Sequence, residues 1–375
     1  MKEKRYMNRQ RHRRVIISGG GTGGHIFPAI SIANALKKLD PSVQILFVGA
    51  EGRMEMEKVP AAGYDIVGLP VSGLNRRNLL RNIPVLFRLV KSLYYARKIL
   101  KDFRPDVVVG VGGYASGPVL RMAGRFGIPL LIQEQNSYAG VTNRILARKA
   151  ARICVAYDGM EKYFPAGKIL KTGNPVRQSF DNMPALRQEA LAFFGLDSTL
   201  PVILVLGGSL GAGTVNKSLS ENLGTLAGSG IQWIWQTGRY YFEDVNALVS
   251  VTGATNIRVL EFINRMDLAF SAADIIISRA GAGTISELCL VGKPVILVPS
   301  PNVAEDHQTR NALSLADKNA AIMVKDEDAI ASLTNVSVKL MNDQPLRARL
   351  SENILRLAER DADVRIAGEV LKLIG

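Results

Sequence analysis

The stretch VIISGGGTGGHIFPA, Val15 to Ala29, sets Gly19-Gly20-Gly21-Thr22-Gly23-Gly24, six residues with almost no side chain, between an apolar run and a histidine that opens a helix-periodic segment. Such a loop exposes backbone N–H groups at a helix N-terminus, where unpaired donors and the helix dipole together favour a phosphate or another anion. Gly19, Gly21 and Gly24 also satisfy G-x-G-x-x-G, the opening of a dinucleotide-binding unit, which requires an acid about 20 residues further on. The acid that follows the next strand is Glu51, a poor match. A tight turn needing positive φ is the plainer explanation, yet this density of glycine exceeds what a turn requires.

Other segments carry the same chemistry. PVILVLGGSLGAG, residues 201–213, repeats the arrangement of strand, glycine loop and helix start, with Gly207-Gly208-Ser209 and Gly211-Ala212. VGVGGYASGP, residues 109–118, follows a strand with Gly112, Gly113, Ser116 and Gly117, which offer more backbone donors or simply a glycine-rich turn. In SRAGAGTISELCLVGKP the strand ending at Ser278 runs into Gly281-Ala282-Gly283-Thr284 and then a helix holding Ser286 and Glu287 that stops at Gly292. A carboxylate in the first helical turn is commonly a capping partner. After a loop of small residues it can also accept two hydrogen bonds from a ribose diol. EFINRM offers backbone groups near Ile263 to a base edge, and AEDHQTRNA offers Gln308 and Asn311 to sugar hydroxyls or as helix caps, capping being the expectation for Asn311.

These loops need strands and helices to hold them. Short β-branched runs alternate with amphipathic stretches along the whole chain, the pattern of parallel sheets covered by helices. RVIIS, VQILFVG, YDIVGLP, DVVVGV, IPLLIQE and RICVAY are the expected strands of a first half; PVILVLG, IQWIWQTG, NIRVLEF, ADIIISR, KPVILVPS and AAIMV are those of a second. KILKTGNPVRQSF, broken by Gly173-Asn174-Pro175, is the expected hinge. Two glycine-loop openings half a chain apart argue against a simple dehydrogenase and for two nucleotide-fold domains with a cleft at the carboxyl ends of their strands. In NLLRNIPVLFRLVKSLYYARKILKDF, Leu86, Leu89, Leu93, Ala96 and Leu100 form the expected core stripe, opposite Arg88, Lys91, Ser92, Tyr95 and Lys98. At its start, in RRNLLRNIPVLFR, apolar residues interleaved with Arg76, Arg77, Arg81 and Arg88 have the composition of a patch lying on an anionic membrane surface or of an ordinary solvated surface.

Composition narrows the classes. The 375 residues are 47% hydrophobic and 21% charged, ordinary for about two globular domains. Net charge is +14, and residues 1–14 hold seven basic side chains against Glu3, so the excess divides between a basic tail expected to be disordered and the folded body. Such charge suits anionic lipid, phosphorylated substrates or nucleic acid. Nucleic acid is not an expected partner, because the interleaving of aromatic and basic residues typical of RNA binders is missing and two glycine-loop domains would go unexplained. Cys154 and Cys289 lie in apolar settings and read as buried free thiols in a reducing compartment. His12, His25 and His307 lack metal-ligand spacing, and Asp361-Ala362-Asp363 falls in a helical stretch rather than after a strand, so neither a protein-held metal nor a cofactor is expected. The basic N-terminus has no secretory core, and no apolar run approaches the roughly 18 residues of a spanning helix, which points to the cytosol or its membrane face.

Taken in order from about Arg14 to the C-terminus, GGGTGGHIFPA, GVGGYASGP, QEQNSYAGVTN, GNPVR, GGSLGA, EFI and RAGAGTISE resemble the motifs of the MurG family of glycosyltransferases. The resemblance implies an α/β, GT-B architecture: two Rossmann-like doubly wound parallel-sheet domains facing a central cleft. With the readings above it gives a tail at 1–13, an acceptor and membrane-facing domain at 14–173 completed by a C-terminal helix at about 358–375, and a donor domain at 174–357. It implies inverting transfer of N-acetylglucosamine (GlcNAc) from UDP-GlcNAc to lipid I, giving lipid II. It also implies a peripheral place on the cytoplasmic face of the inner membrane and partners in the cell-wall and division machinery. The donor is then expected on Thr22, Gly23, Gly24, Asn136, Arg177, Ser209, Ile263, Ala282, Gly283, Thr284, Ile285, Ser286, Glu287 and Gln308, with Glu287 on the ribose, Ile263 on the uracil and Ser209 on the diphosphate. The acceptor pyrophosphate is expected on Gly21, Gly112, Gly113, Ser116 and Gly117. Inverting transfer needs a base for the acceptor hydroxyl, and His25 is the first candidate and Glu134 the second. Some members have His-Glu-Gln-Asn where this chain has Gln133-Glu134-Gln135-Asn136, so a histidine at the first of those positions is not a required base. Another GT-B enzyme using UDP-sugars and lipids, such as a diacylglycerol glucosyltransferase, would share the second-half loops but not GGYASGP with QEQN.

Overall fold

A computed structural model describes residues 13–21, 23–71, 83–176, 183–208, 210–303 and 306–375. The chain divides into two compact units, one of Met1–Gln135, Ala139–Arg177 and Asp361–Gly375, the other of Asn136–Tyr138 and Gln178–Arg360.

The first unit runs β1 (Arg14–Ser18), α1 (Gly23–Leu39), β2 (Gln44–Ala50), α2 (Glu55–Ala61), β3 (Asp65–Leu69), α3 (Ile83–Phe103), β4 (Val107–Gly110), α4 (Ser116–Arg125), β5 (Leu130–Glu134), α5 (Val141–Leu146), β6 (Arg152–Val155) and β7 (Ile169–Lys171). Its strands form a parallel sheet in the order β3-β2-β1-β4-β5-β6-β7. Helices on both faces explain why β1 and β4 are unbroken apolar runs rather than alternating ones. Val15, Ile17, Val107 and Val109 pack into one layer with Ile26, Ile32 and Leu36 of α1. The residue between, Ile16, enters the opposite layer with Val108, Ala96, Leu100 and Leu120, as the two-residue repeat of a strand demands. Fully burying one such isoleucine is worth about 1.5–3 kcal/mol.

The second unit runs α6 (Arg187–Phe194), β8 (Val202–Leu206), α7 (Gly213–Ser220), α8 (Leu223–Gly228), β9 (Gln232–Gln236), α9 (Phe242–Thr252), β10 (Ile257–Leu260), α10 (Met266–Ala272), β11 (Ile275–Ser278), α11 (Ala282–Val291), β12 (Val295–Leu297), α12 (His307–Ala316), β13 (Ile322–Met323), α13 (Ala329–Asn342) and α14 (Gln344–Leu355). Its parallel sheet is ordered β10-β9-β8-β11-β12-β13. Trp233 and Trp235, two residues apart on β9, enter the same core layer, and the Trp235 indole donates to Asn216 Oδ1 at 2.9 Å. The last helix, α15 (Ala362–Ile374), belongs to the first unit: Ile366, Ala367 and Val370 join the core beside α1. Arg365 donates to Thr172 O at 2.6 Å, and Glu369 pairs with Arg152 at 3.3 Å.

Three local expectations change. The segment read as a hinge contains β7, a three-residue edge strand parallel to β6, too short and too exposed to leave a periodic signal. In α3, Leu86 and Leu89 are exposed rather than core, together with Phe87, Val90 and Tyr94. The buried row is Ser92, Ala96 and Leu100. Ser92 satisfies its hydroxyl on Arg88 O at 2.7 Å, and Ala96 and Leu100 join the core layer that holds Val119, Leu120 and Ala123 of α4. Glu287 sits in the second turn of α11 rather than the first, because the helix starts at Ala282. Cys154 and Cys289 are free and buried, and removal from water pushes both thiols up to about 12.

Candidate active site

In each sheet the strand order reverses direction at one place, between β1 and β4 and between β8 and β11. The loops leaving two such neighbouring strands diverge to opposite faces and open a crevice at their carboxyl ends, where ligands of open parallel sheets bind. The glycine-rich segments are the loops at these two places.

In the first unit the loop after β1 meets the loop after β4. A methyl group on Gly113 would stand 2.2 Å from Gly20 O, and one on Gly112 would stand 2.9 Å from Nε2 of His25. The two loops therefore touch backbone to backbone, and the His25 imidazole, on the first turn of α1, rests over Gly112. Gly112 and Gly113 have φ of +92° and +84°, which side-chain-bearing residues rarely adopt. Replacing Gly113 by alanine is thus expected to cost at least about 1–2 kcal/mol from the left-handed backbone alone, before the clash with Gly20 is counted. Urea denaturation would show it, and a variant as stable as the parent would mean that the loops do not touch.

The QEQN segment holds these loops in place. Gln135 donates to Val111 O at 2.7 Å and to Gln133 Oε1, Gln133 donates to Asn174 Oδ1 at 3.0 Å, and Asn174 donates to Gln135 O at 2.9 Å. Glu134 is 2% exposed, and its Oε2 accepts from Gly140 N at 3.0 Å and Asn143 Nδ2 at 2.9 Å. That geometry anchors the turn after β5. Ser116, expected on the acceptor pyrophosphate, is buried and donates its hydroxyl to Gly113 O at 2.9 Å. Gly21, expected there too, gives its N–H to Glu55, 3.1 Å from each carboxylate oxygen. Gly117 stands at the start of α4 beside Thr142.

In the second unit a cavity of about 540 Å³ lies at the β8/β11 reversal, lined by Gly207, Gly213, Tyr241, Thr284, Gln308 and Asp326 among others. Its size suits a nucleotide. Tyr241 covers the loop after β8, 2.7 Å from where a side chain on Gly213 would begin. Arg279 donates to Asp326 and to Val298 O at 3.1 Å, and Asp326 also accepts from Thr214 Oγ1 at 2.9 Å. This fixes one wall. Gln308 Oε1 accepts from Ser300 N at 2.9 Å and Ala280 N at 3.3 Å, so the loops after β11 and β12 are tied through one side chain. Ala282, Gly283 and Thr284 form the first turn of α11, Ile285 is buried under it, and Ser286 donates to Ala282 O at 3.1 Å. Glu287, half-buried in the next turn, is past the reach of a helix cap. Ile263 is buried in the loop after β10. Asn311 does not cap: within α12 its Oδ1 accepts from Ser137 N at 3.1 Å and its amide donates toward Asn136 Oδ1 at 3.4 Å.

Thr22, Arg177 and Ser209 lie outside the described residues, as do Arg76, Arg77, Arg81 and the tail up to residue 12. Glu55, Tyr241 and Asp326 escaped the reading of the sequence. Arg279 stands directly before the AGAGT loop and had that local signal; Asp326, in KDEDAI, had none.

Residues 15–155 match the N-terminal domain of glycosyltransferase family 28, and residues 202–366 match its C-terminal domain. The chain is similar to the UDP-N-acetylglucosamine--N-acetylmuramyl-(pentapeptide) pyrophosphoryl-undecaprenol N-acetylglucosamine transferase of Parabacteroides distasonis, at 59% identity over 96% of this chain and 98% of that protein. The enzyme of the same name from Phocaeicola vulgatus is 60% identical over 96% of each chain. Among solved structures, Acinetobacter baumannii MurG superposes with a TM-score of 0.78 at 29% identity, covering 96% of this chain and 99% of that one.

Proposed function

The chain belongs to the MurG family within glycosyltransferase family 28, and from that premise we propose that it moves GlcNAc from UDP-GlcNAc to the muramyl 4-hydroxyl of undecaprenyl-pyrophosphoryl-MurNAc-pentapeptide, converting lipid I to lipid II. The observation that carries this is identity of 59–60% to transferases of that name over nearly the whole chain. Its GT-B fold of two Rossmann-like parallel-sheet domains supports the same reading.

In this reading the cavity of the second unit takes the UDP moiety. Glu287 accepts two hydrogen bonds from the ribose diol, backbone groups near Ile263 read the uracil, and the loop with Ser209 and the first turn of α11 meet the diphosphate, where the helix dipole favours negative charge. Gln308, Asn136, Arg177 and Thr22 to Gly24 complete the donor contacts. The acceptor pyrophosphate takes backbone donors of the Gly112–Gly113 loop and the start of α4. His25 removes the proton from the 4-hydroxyl as that oxygen attacks the anomeric carbon, the bond from that carbon to UDP breaks, and the configuration inverts. The neutral imidazole is the form able to accept that proton. Glu134 is the weaker base, because its Oε2 already accepts two hydrogen bonds.

The test is transfer of labelled sugar to a lipid I analogue, with UDP-glucose as control donor. Efficient transfer from UDP-GlcNAc is expected; glucose transfer to diacylglycerol with no reaction on the lipid I analogue would favour the other GT-B reading.

The acceptor's undecaprenyl chain stays in the bilayer, so the first unit must reach the headgroups. Among the described residues no helix is long and apolar enough to cross a membrane. The exposed face of α3 supplies a shallow anchor, with Phe87 74% and Val90 61% exposed beside Arg88, an interfacial composition. On this reading the enzyme is peripheral on the cytoplasmic face of the inner membrane, within reach of the cell-wall and division machinery. Changing Leu86, Phe87 and Val90 to serine and Arg88 to glutamate is expected to abolish sedimentation with anionic vesicles and leave UDP binding intact. Each basic residue near such a surface contributes about 1 kcal/mol, so binding of the parent should weaken as salt rises. Pelleting equal to the parent's would remove α3 from the anchor and move attention to the basic tail.

A further inference from the structure

Glu55 is 1% exposed, although it comes from the charged run EGRMEMEK. Its carboxylate accepts from Gly21 N, 3.1 Å from each oxygen, and from Ala50 N at 3.0 Å. A buried carboxylate is costly unless hydrogen bonds compensate it, and here the compensation comes from the first glycine loop and the end of β2. The fit is close on all sides. A methyl group on Gly20 would stand 2.0 Å from Glu55 Oε1, and one on Gly49 would stand 2.6 Å from its Cγ. From the other direction the backbone of Gly20 meets Gly113. The first loop is thus held between a buried carboxylate and the second glycine loop.

We propose that Glu55 is a positioning residue for the transfer reaction: by occupying the Gly21 amide it fixes the first glycine loop against the second, and so sets the start of α1, from which His25 lies over Gly112. The proposal rests on the transferase reading above. It also excludes the Gly21 amide from pyrophosphate binding, since a phosphate there would stand beside the carboxylate and meet like-charge repulsion. The anion-binding donors of the opening loop begin after Gly21.

Glu55→Ala and Glu55→Asp test this, the second keeping the charge but falling one methylene short of the loop, with Glu55→Gln as the rescuing variant. In the glutamine variant Oε1 can still accept from Ala50 and Gly21. Alanine and aspartate are expected to lower kcat/KM for the lipid I analogue by about tenfold or more at unchanged UDP affinity, and glutamine to stay within about threefold of the parent. Hydrogen–deuterium exchange of the segment 16–30 should quicken in the same two variants and not in the third. If the alanine variant fails to fold, the aspartate variant decides. A folded aspartate variant with parental acceptor kcat/KM, or with parental exchange in that segment, would overturn the proposal. Should the parent itself not use the lipid I analogue, the transferase reading fails, and the exchange measurement still judges the clamp.

Discussion

Replacing His25 by alanine is expected to lower kcat for GlcNAc transfer by roughly 100-fold or more, with little change in affinity for UDP-GlcNAc. The acceptor hydroxyl must lose its proton as it attacks, and His25 is the imidazole at the meeting of the two glycine loops of the first unit, in contact with Gly112. On the proposed mechanism its loss removes the proton acceptor, while every residue lining the cavity of the second unit is kept. The pH profile supplies a second readout. In the parent, kcat/KM should rise with pH, because general-base catalysis requires the neutral imidazole, and this ascending limb should vanish in the alanine variant. A variant that keeps kcat and loses donor affinity would make His25 a binding residue and return the search for the base to Glu134.

Replacing Glu287 by alanine is expected to weaken UDP binding by about 1.5–3 kcal/mol, roughly ten- to 150-fold, through loss of charge-assisted hydrogen bonds to the ribose. The position of the residue sharpens the case. Were it in the first turn of α11, a capping role would explain it; in the second turn it is too far from the unpaired N–H groups to serve them. A double-mutant comparison isolates the contact. With a UDP analogue lacking both ribose hydroxyls, parent and variant should bind nearly alike. Calorimetry giving the same UDP affinity for a folded alanine variant and the parent would take Glu287 out of the site.

The two sheets and the loops at their carboxyl ends were legible in the sequence for a physical reason. A parallel strand buried on both faces reads as an uninterrupted β-branched run, as in RVIIS and DVVVGV, and a loop that must take φ near +90° twice in succession, as at Gly112 and Gly113, needs glycine. The order of motifs around these loops was enough to identify the family. The tertiary structure decided which side chains serve the loops. Glu55 looks like one more acid in a charged segment until the sheet carries α2 beneath the first glycine loop, where its carboxylate accepts from Gly21 N, 34 residues earlier in the chain. Asp326 meets Thr214 across 112 residues, and Tyr241, which carries no signal in its own segment, covers Gly213. In α3 the expected stripe holds at Ala96 and Leu100, which are buried, while Leu86 and Leu89 are exposed and Ser92, expected on the polar side, is buried instead. Local pattern reports how burial repeats along one element; which distant side chain meets a loop depends on the strand ends that a parallel sheet brings side by side, and that is settled only when the sheet forms.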